Sequence, residues 1–191
     1  EKLEAAIKAH PDAKVVAFVH AETSTGVRSD AKTLCRIAKD AGMLVIVDAV
    51  TSLAGIELKA DEWGADVIYS GTQKCLSGLP GISPITFSDA AVQVIRARTQ
   101  KVQSWFLDMN LIMGYWGEGA KRSYHHTAPV NAVYAIHEAL LMLEEEGLEA
   151  SVARHKANHL KLAMGLSDLG LELAVAEEWR LPQLNSVLIP E

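Results

Sequence analysis

The sequence predicts an α/β fold in which a mixed, mostly parallel sheet is flanked by helices. Short β-branched apolar runs alternate with helical patterns, polar loops follow these runs, and glycine or Ser-Asp signals bound the helices. The chain has 191 residues, of which 49% are hydrophobic. That size is enough for one sizeable core, or for one core plus part of a second.

The predicted elements follow one another as apolar runs and capped helical segments. Strands are expected at residues 14–19, 43–47, 66–69, 84–87, 171–175 and 185–191. Helices are expected at 2–9, 31–41, 89–98, 130–146 and 148–169, with Asp30 or Ser29 and later Ser88 as caps. Residues 20–27 are expected to form a polar loop, and 101–130 are less regular.

Composition removes several classes of partner. A formal net charge of -6 argues against a nucleic-acid or anionic-membrane partner. No apolar run approaches the roughly 20 residues of a membrane span. Cys35 and Cys75 form neither a metal motif nor a redox motif, which favours a reducing compartment. We expect a cytoplasmic protein, or a peroxisomal or mitochondrial one in a eukaryote.

Lys74 follows the apolar run 65–68 and opens a loop rich in Gly, Ser and Pro. A lysine that loses solvation where a strand leaves the core becomes an amine nucleophile. A P-loop is excluded, because the glycine spacing before Lys74 and the Ser or Thr after it are absent. A single lysine of this kind is more often an ordinary surface residue, so the prediction needs support from other strand exits.

Two further polar residues follow predicted strands. Asp48 ends the run 44–47, where it could cap a helix or pair with a protonated ring nitrogen. Thr23 lies in a hydroxyl-rich segment that could be an ordinary turn or a contact to a ring oxygen. Ligands of parallel sheets bind beyond the carboxyl ends of the strands. An acid and a lysine at such exits suit a pyridine cofactor that needs a Schiff base and a counter-ion.

Other candidate groups receive structural interpretations. His125 and His126 are adjacent, so on an extended chain they would point to opposite faces and make a poor metal pair. Cys75 is expected to be a small buried packing residue. The aromatic residues around Trp105 and Trp116 are expected to pack internally or at a subunit interface. We therefore expect no metal site.

Three segments together resemble the class V aminotransferases of pyridoxal 5'-phosphate (PLP) fold type I: VDAVTS at 47–52, SGTQK at 70–74 and YHHTAP at 124–129. The branch they are most similar to comprises the alanine–glyoxylate and serine–pyruvate (serine–glyoxylate) aminotransferases. The resemblance covers essentially the whole chain. It implies that residues 1–147 are part of the large PLP-binding domain and residues 148–191 the beginning of a small C-terminal α+β domain. The chain would then be the middle of a protein about twice as long.

The resemblance implies a role for each residue that matches a motif. Lys74 would carry the cofactor as a Schiff base and then act as the base at the substrate α-carbon. Asp48 would pair with the pyridine nitrogen, Val50 would pack against a ring face, and Thr23 would lie near the ring hydroxyl.

The resemblance also implies a homodimer. Gln73 would bind the cofactor phosphate of its own subunit, whereas Tyr124 and Thr127 would reach the phosphate of the neighbouring subunit's cofactor. An N-terminal cofactor loop with a stacking aromatic residue and a C-terminal substrate-binding arginine have no counterpart here, and Arg180 cannot be assigned that second role. We therefore expect this segment to be inactive by itself.

The leading functional hypothesis is transamination from a small amino acid, alanine or serine, to glyoxylate or pyruvate. A ureidoglycine–glyoxylate aminotransferase remains a close alternative. A cysteine desulfurase is disfavoured, because the residue before the lysine is typically His in that branch and is Gln73 here. A non-catalytic α/β dimerisation or binding module is the alternative from a different class.

Overall fold

A four-stranded sheet forms the centre of the computed structural model, which describes residues 1–116 and 123–190. The strands of this sheet follow the spatial order β1-β4-β5-β6, and a separate two-stranded hairpin is made by β2 and β3. The strands are Val15–Val19 (β1), Ala21–Glu22 (β2), Val27–Arg28 (β3), Leu44–Asp48 (β4), Val67–Tyr69 (β5) and Ile85–Phe87 (β6).

Strands β1, β4 and β5 run parallel, and β6 closes the sheet as an antiparallel edge strand. This arrangement confirms the predicted mixed, mostly parallel sheet. Parallel neighbours bring their carboxyl ends to one edge, so Val19 lies opposite Asp48 and Asp48 lies opposite Tyr69. The loops that follow these strands therefore leave from a common edge.

Helices connect and flank these strands. Asp30 caps α2 by accepting a hydrogen bond from the Thr33 amide at 3.1 Å, and Ser88 caps α4 in the same way through Ala91. Gly147, with a φ of 86°, separates the two long C-terminal helices. The helices are Lys2–Ala9 (α1), Ala31–Asp40 (α2), Ala60–Trp63 (α3), Asp89–Arg96 (α4), Met109–Trp116 (α5), Val130–Glu146 (α6) and Leu148–Asp168 (α7).

The main apolar core lies between α2 and one face of the sheet. Ala31, Cys35 and Ala38 recur at helical spacing on the buried face of α2, and they pack against Val45 and Val47 of β4. Both valines are fully buried, as expected for the central strand of a parallel sheet. This packing fixes the position of β4 in the sheet, and therefore the position of Asp48 at its carboxyl end.

A buried carboxylate ties the opposite end of the sheet together. Asp66, only 3% exposed, accepts hydrogen bonds from Lys39 Nζ at 2.8 Å, the Val45 amide at 2.8 Å and the Ser88 hydroxyl at 2.8 Å. Burial raises the pKa of Asp66, but the hydrogen bonds from these three donors outweigh it and hold the pKa below its ordinary value. Helix α2, strand β4 and the start of α4 are thereby fixed to the residue that precedes β5.

The predicted strand at 171–175 does not form, and neither does the one at 185–191 over its described residues; residue 191 lies outside the described residues. Instead, isolated bridges join Leu173 to Val187 and Val27 to Arg180. The two segments pair with each other only around the Leu173–Val187 bridge, where the Ala174 amide donates to the Ser186 carbonyl oxygen at 2.9 Å and the Leu188 amide donates to the Glu172 carbonyl oxygen at 2.8 Å. Between them, Leu181 is fully buried beside Ala21 of the hairpin. The expected loop at 20–27 is likewise replaced by the β2–β3 hairpin, whose turn begins at Thr23.

Parts of the region expected to be less regular are helical, since α5 occupies Met109–Trp116. Within the residues that the structure describes, no helix is long and apolar enough to cross a bilayer.

The substitution Asp66→Asn is expected to lower the free energy of unfolding by about 3 kcal/mol, because it removes the charge that the Lys39 ammonium and two further donors surround. Urea denaturation of the full-length protein at neutral pH measures this loss. Asp40→Asn is the matched control, since the Arg36–Asp40 pair is exposed, with side chains 65% and 68% accessible. The control is expected to cost at most about 0.5 kcal/mol, and equal losses would contradict the role assigned to Asp66.

The Asp66 contribution also has a defined pH dependence. Because its pKa is lower in the folded than in the unfolded protein, ionised Asp66 stabilises the fold above its ordinary value of 3.8. This contribution is lost as the pH falls through the lowered folded pKa. The stability difference between wild type and Asp66→Asn should therefore shrink in acid.

Candidate functional site

Asp48 is held in a fixed orientation at the carboxyl edge of the sheet. One carboxylate oxygen accepts a hydrogen bond from the Val50 amide at 2.9 Å, and the other accepts one from the Tyr69 hydroxyl at 2.7 Å. The bond to Asp48, together with partial burial, raises the pKa of the Tyr69 phenol. Residues 50–55 form turns, so Asp48 does not cap a helix there.

The loop that carries Lys74 is fixed to the sheet by buried hydroxyl groups. Ser70 donates a hydrogen bond to the carbonyl oxygen of Ala49 at 2.9 Å, which joins the exit of β5 to that of β4. Thr72, 1% exposed, donates to the carbonyl oxygens of Leu79 and Ile82. The loop is therefore folded back on itself by Thr72, and Lys74 lies near its tip.

Lys74 itself is exposed, which corrects the expectation that it loses solvation. The strand β5 ends at Tyr69, and the intervening residues carry Lys74 beyond the core. Its ammonium makes no hydrogen bond or ion pair with the part of the chain that the structure describes. The preceding Gln73 is also exposed and folds back, with Oε1 lying 2.8 Å from where a Cβ on Gly71 would be. A glycine at that position leaves room for the Gln73 amide.

Thr23 is connected to the Asp48 loop through a residue that the sequence analysis did not select. Its hydroxyl lies 2.7 Å from the Thr51 hydroxyl, three residues after Asp48 in the chain. The Thr51 carbonyl oxygen in turn accepts a hydrogen bond from Gln183 Nε2 at 2.8 Å. These contacts bring Thr23 to the loop that follows Asp48.

Lys74 lines a cavity of about 310 Å³ together with residues from three other parts of the chain. Its walls come from the loop after β4, from helix α7 and from the C-terminal segment. The lining residues are Thr51, Lys74, Cys75, Ser77, Arg154, His155, Gln183 and Leu184. Burial raises the pKa of the Cys75 thiol, which favours its neutral form and agrees with a packing role.

Tyr124 and Thr127 lie together on an exposed segment. Their hydroxyl groups are 2.9 Å apart, and Tyr124 is 70% exposed. No hydrogen bond connects either residue to Asp48 or Lys74 within the described chain. Both residues are exposed, and their hydroxyl groups are hydrogen-bonded to each other.

The prediction that His125 and His126 point to opposite faces is wrong. Their Nδ1 atoms are 2.7 Å apart, and His125 Nε2 lies 3.1 Å from the Trp105 carbonyl oxygen. A carbonyl oxygen can only accept, so Nε2 of His125 donates to the Trp105 carbonyl oxygen. The pair is a structural link between two segments. Among residues 1–116 and 123–190, no group of three or more His, Cys, Asp or Glu side chains could hold a metal ion.

The mostly parallel sheet, Asp48 at its carboxyl edge and the loop that carries Lys74 agree with one protein family. The model of the family described as aminotransferase class V matches residues 1–188, and the chain belongs to that family. Its members use pyridoxal phosphate as cofactor. The fold is PLP fold type I, as the resemblance implied.

Several individual proteins of this family are similar to the chain. An alanine–glyoxylate aminotransferase of Oryctolagus cuniculus is 41% identical over 91% of this chain and 45% of its own length. A (S)-ureidoglycine–glyoxylate transaminase of Bacillus subtilis is 35% identical over 93% of this chain and 46% of its own length. The crystal structure of an alanine–glyoxylate aminotransferase from Nostoc superposes with a TM-score of 0.95 at 44% identity, covering 100% of this chain and 50% of that one. The chain thus spans about half the length of the relatives it matches.

The residues present fit a pyridoxal phosphate group. A carboxylate has about four lone-pair positions. Asp48 accepts one hydrogen bond at each oxygen, so both oxygens can still accept from a ring N–H group. Lys74 offers an amine without a competing partner in the described chain, and its loop is anchored beside Asp48 by the Ser70–Ala49 bond.

The Asp48–Tyr69 contact can be tested without cofactor. Asp48→Asn is expected to lower the pKa of the Tyr69 phenol toward its ordinary value of 10.0, because the negative charge that opposes phenolate formation is removed. Ultraviolet titration of the apo protein measures this shift, with Tyr69→Phe identifying the signal. An unchanged Tyr69 titration in Asp48→Asn would contradict the contact.

Proposed function

We propose that this chain is the cofactor-binding part of an aminotransferase that transfers an amino group from alanine or serine to glyoxylate or pyruvate. The observation that carries the proposal is Asp48, which two donors hold at the sheet edge where the Lys74 loop begins. The names of the relatives support the substrate class, since alanine or glyoxylate occurs in them. We retain residues 1–147 as part of the large domain and 148–191 as the beginning of the small one. The two free cysteines favour a reducing compartment such as the cytoplasm.

Pyridoxal phosphate, when bound, supplies an electron sink for carbanion chemistry at a substrate α-carbon. Lys74 would hold the group through Nζ. Once the substrate's amino group had replaced Nζ in that bond, the released Nζ amine would take the proton from the substrate α-carbon and pass it to the cofactor. Tethering of Nζ to the anchored loop gives it a high effective concentration beside that carbon. Asp48 would balance the positive charge of a protonated ring nitrogen. Val50, half-buried next to Asp48, would cover a ring face, and Thr23 would lie near the ring hydroxyl.

A second copy of the chain is proposed to complete the site. Gln73 binds the phosphate from its own subunit, and the paired hydroxyls of Tyr124 and Thr127 reach the phosphate of the neighbouring subunit. Support comes from the exposure of this region, where Tyr124, Trp105 and Phe106 are 70%, 56% and 55% accessible. Large exposed aromatic side chains are typical of a subunit interface.

Ureidoglycine–glyoxylate transamination is the second candidate function. It is favoured by the Bacillus subtilis relative, which covers as much of this chain as the Oryctolagus cuniculus protein does. Both reactions use the same cofactor residues and differ in the amino donor. The donor therefore has to be determined by assay.

A panel of amino donors with glyoxylate as acceptor tests the proposed function in the full-length protein. Alanine or serine is expected to give the highest kcat/KM, with (S)-ureidoglycine as the competing donor. Lys74→Ala is expected to lower kcat by at least roughly 10³-fold, because the tethered base is lost. Asp48→Ala is expected to lower it by about 10²–10⁴-fold while the fold is retained, because the ring nitrogen loses its counter-ion.

Lys8→Ala is the matched control for Lys74→Ala, because Lys8 is an exposed lysine on α1. Its kcat should equal that of the wild type. Preference for (S)-ureidoglycine would replace the leading substrate assignment with the second one. Full activity of Lys74→Ala or Asp48→Ala would contradict the proposed roles.

A further inference from the structure

Thr51 lies at a junction between three segments that build the site. It is 5% exposed and follows Asp48 by three positions, in the turns after β4. None of the roles described above includes Thr51. Its side chain contacts the β2–β3 hairpin, and its backbone carbonyl contacts both the lysine loop and the C-terminal segment.

The Thr51 hydroxyl holds the hydroxyl of Thr23. The two oxygens are 2.7 Å apart. Thr23 is exposed, and within the described chain its side chain makes no other hydrogen bond. A threonine has few χ1 rotamers, and burial of Thr51 fixes which one it adopts. The orientation of the Thr23 hydroxyl therefore depends on Thr51.

The Thr51 carbonyl receives donors from two other segments. Gln183 Nε2 donates to it at 2.8 Å, and Cys75 Sγ, next to Lys74, lies 3.6 Å away. The packing around this point is tight, because a Cβ added to Gly55 would lie 2.7 Å from Cys75 Sγ and 3.1 Å from Gln183 Cδ. A small displacement of any one segment would thus be transmitted to the others.

We propose that Thr51 is a positioning residue. Its hydroxyl orients the Thr23 hydroxyl toward the cofactor ring, and its backbone carbonyl holds the lysine loop and the C-terminal segment in place relative to Thr23. This inference rests on the proposed function, because it assigns Thr23 to the ring. Thr51 does not touch the reacting atoms; it acts through Thr23 and through the loop that carries Lys74. Gln183 holds the Thr51 backbone in place from the far side of the junction.

The test is a double-mutant cycle on the affinity of the full-length protein for pyridoxal phosphate. Thr51→Val keeps the shape but removes the hydroxyl, and it is expected to raise the Kd about 3–10-fold. Thr51→Ser retains the hydroxyl and should stay within about twofold of the wild type. Thr23→Val should weaken cofactor binding by itself. Adding Thr51→Val to Thr23→Val should weaken it little further, because both substitutions break the same Thr23–Thr51 contact.

A spectroscopic readout accompanies the cycle. The visible absorption band of the lysine-bound cofactor changes at a characteristic pH, because that band responds to groups at the ring oxygen. This pH should differ from the wild-type value in Thr51→Val and equal it in Thr51→Ser. Thr25→Val is the matched control, since Thr25 belongs to the same hairpin and its hydroxyl accepts only from the Val27 amide within the described residues. This control should change neither the Kd nor the band.

The outcomes separate the inference from the function on which it rests. Additive effects of Thr51→Val and Thr23→Val, in a protein that binds the cofactor normally, would overturn the role of Thr51 and leave the proposed function intact. A wild-type protein that binds no cofactor would overturn both. If circular dichroism shows that Thr51→Val is unfolded, Gln183→Met tests the same junction. It should raise the Kd and shift the band, and an unchanged Kd and band would overturn the inference.

Discussion

The parallel register of β4 and β5 is the constraint on which the rest of the site depends. It places Asp48 opposite Tyr69, so the acid acquires a hydroxyl donor and the two following loops leave from one edge. At the other end of the same strands, buried Asp66 accepts from the Val45 amide and the Lys39 ammonium. A slip by one residue would turn every side chain of β5 to the opposite face and break the contacts at both ends.

The geometry at the sheet edge supports the role proposed for the exposed Lys74. The loop is anchored by buried hydroxyl groups, whereas the ammonium at its tip has no partner in the described chain. Such an arrangement fixes the backbone and leaves the amine free to react. The functional group of Asp48, unlike that of Lys74, is itself fixed, because two donors orient its carboxylate before any ligand binds. In the proposed role, this fixed orientation of the Asp48 carboxylate would lower the free-energy cost of binding a charged ring.

The local sequence pattern was sufficient to predict where the strands end. It was insufficient to predict the hydrogen bonds between the segments that follow them. Apolar periodicity located the end of β5 at Tyr69, where the lysine loop begins, and the end of β4 to within one residue, since Asp48 is the last residue of that strand. Thr51 and Gln183 were missed because their hydrogen bond joins residues separated by 132 positions, which no local pattern encodes. The strand expected at 171–175 is reduced to a single bridge from Leu173 to Val187, because its apolar pattern does not determine how far the two segments pair. The roles of Val50, Gln73, Tyr124 and Thr127 remain predictions from the family resemblance.

The central claim is that Lys74 is the residue that carries the cofactor. Borohydride reduction of the full-length protein in the presence of pyridoxal phosphate, followed by peptide mapping, tests it most directly, because reduction makes the lysine–cofactor bond permanent. The account predicts that the pyridoxyl label is found on the peptide containing Lys74 and is absent from Lys74→Ala. A label on a different lysine, or no label, would contradict the account.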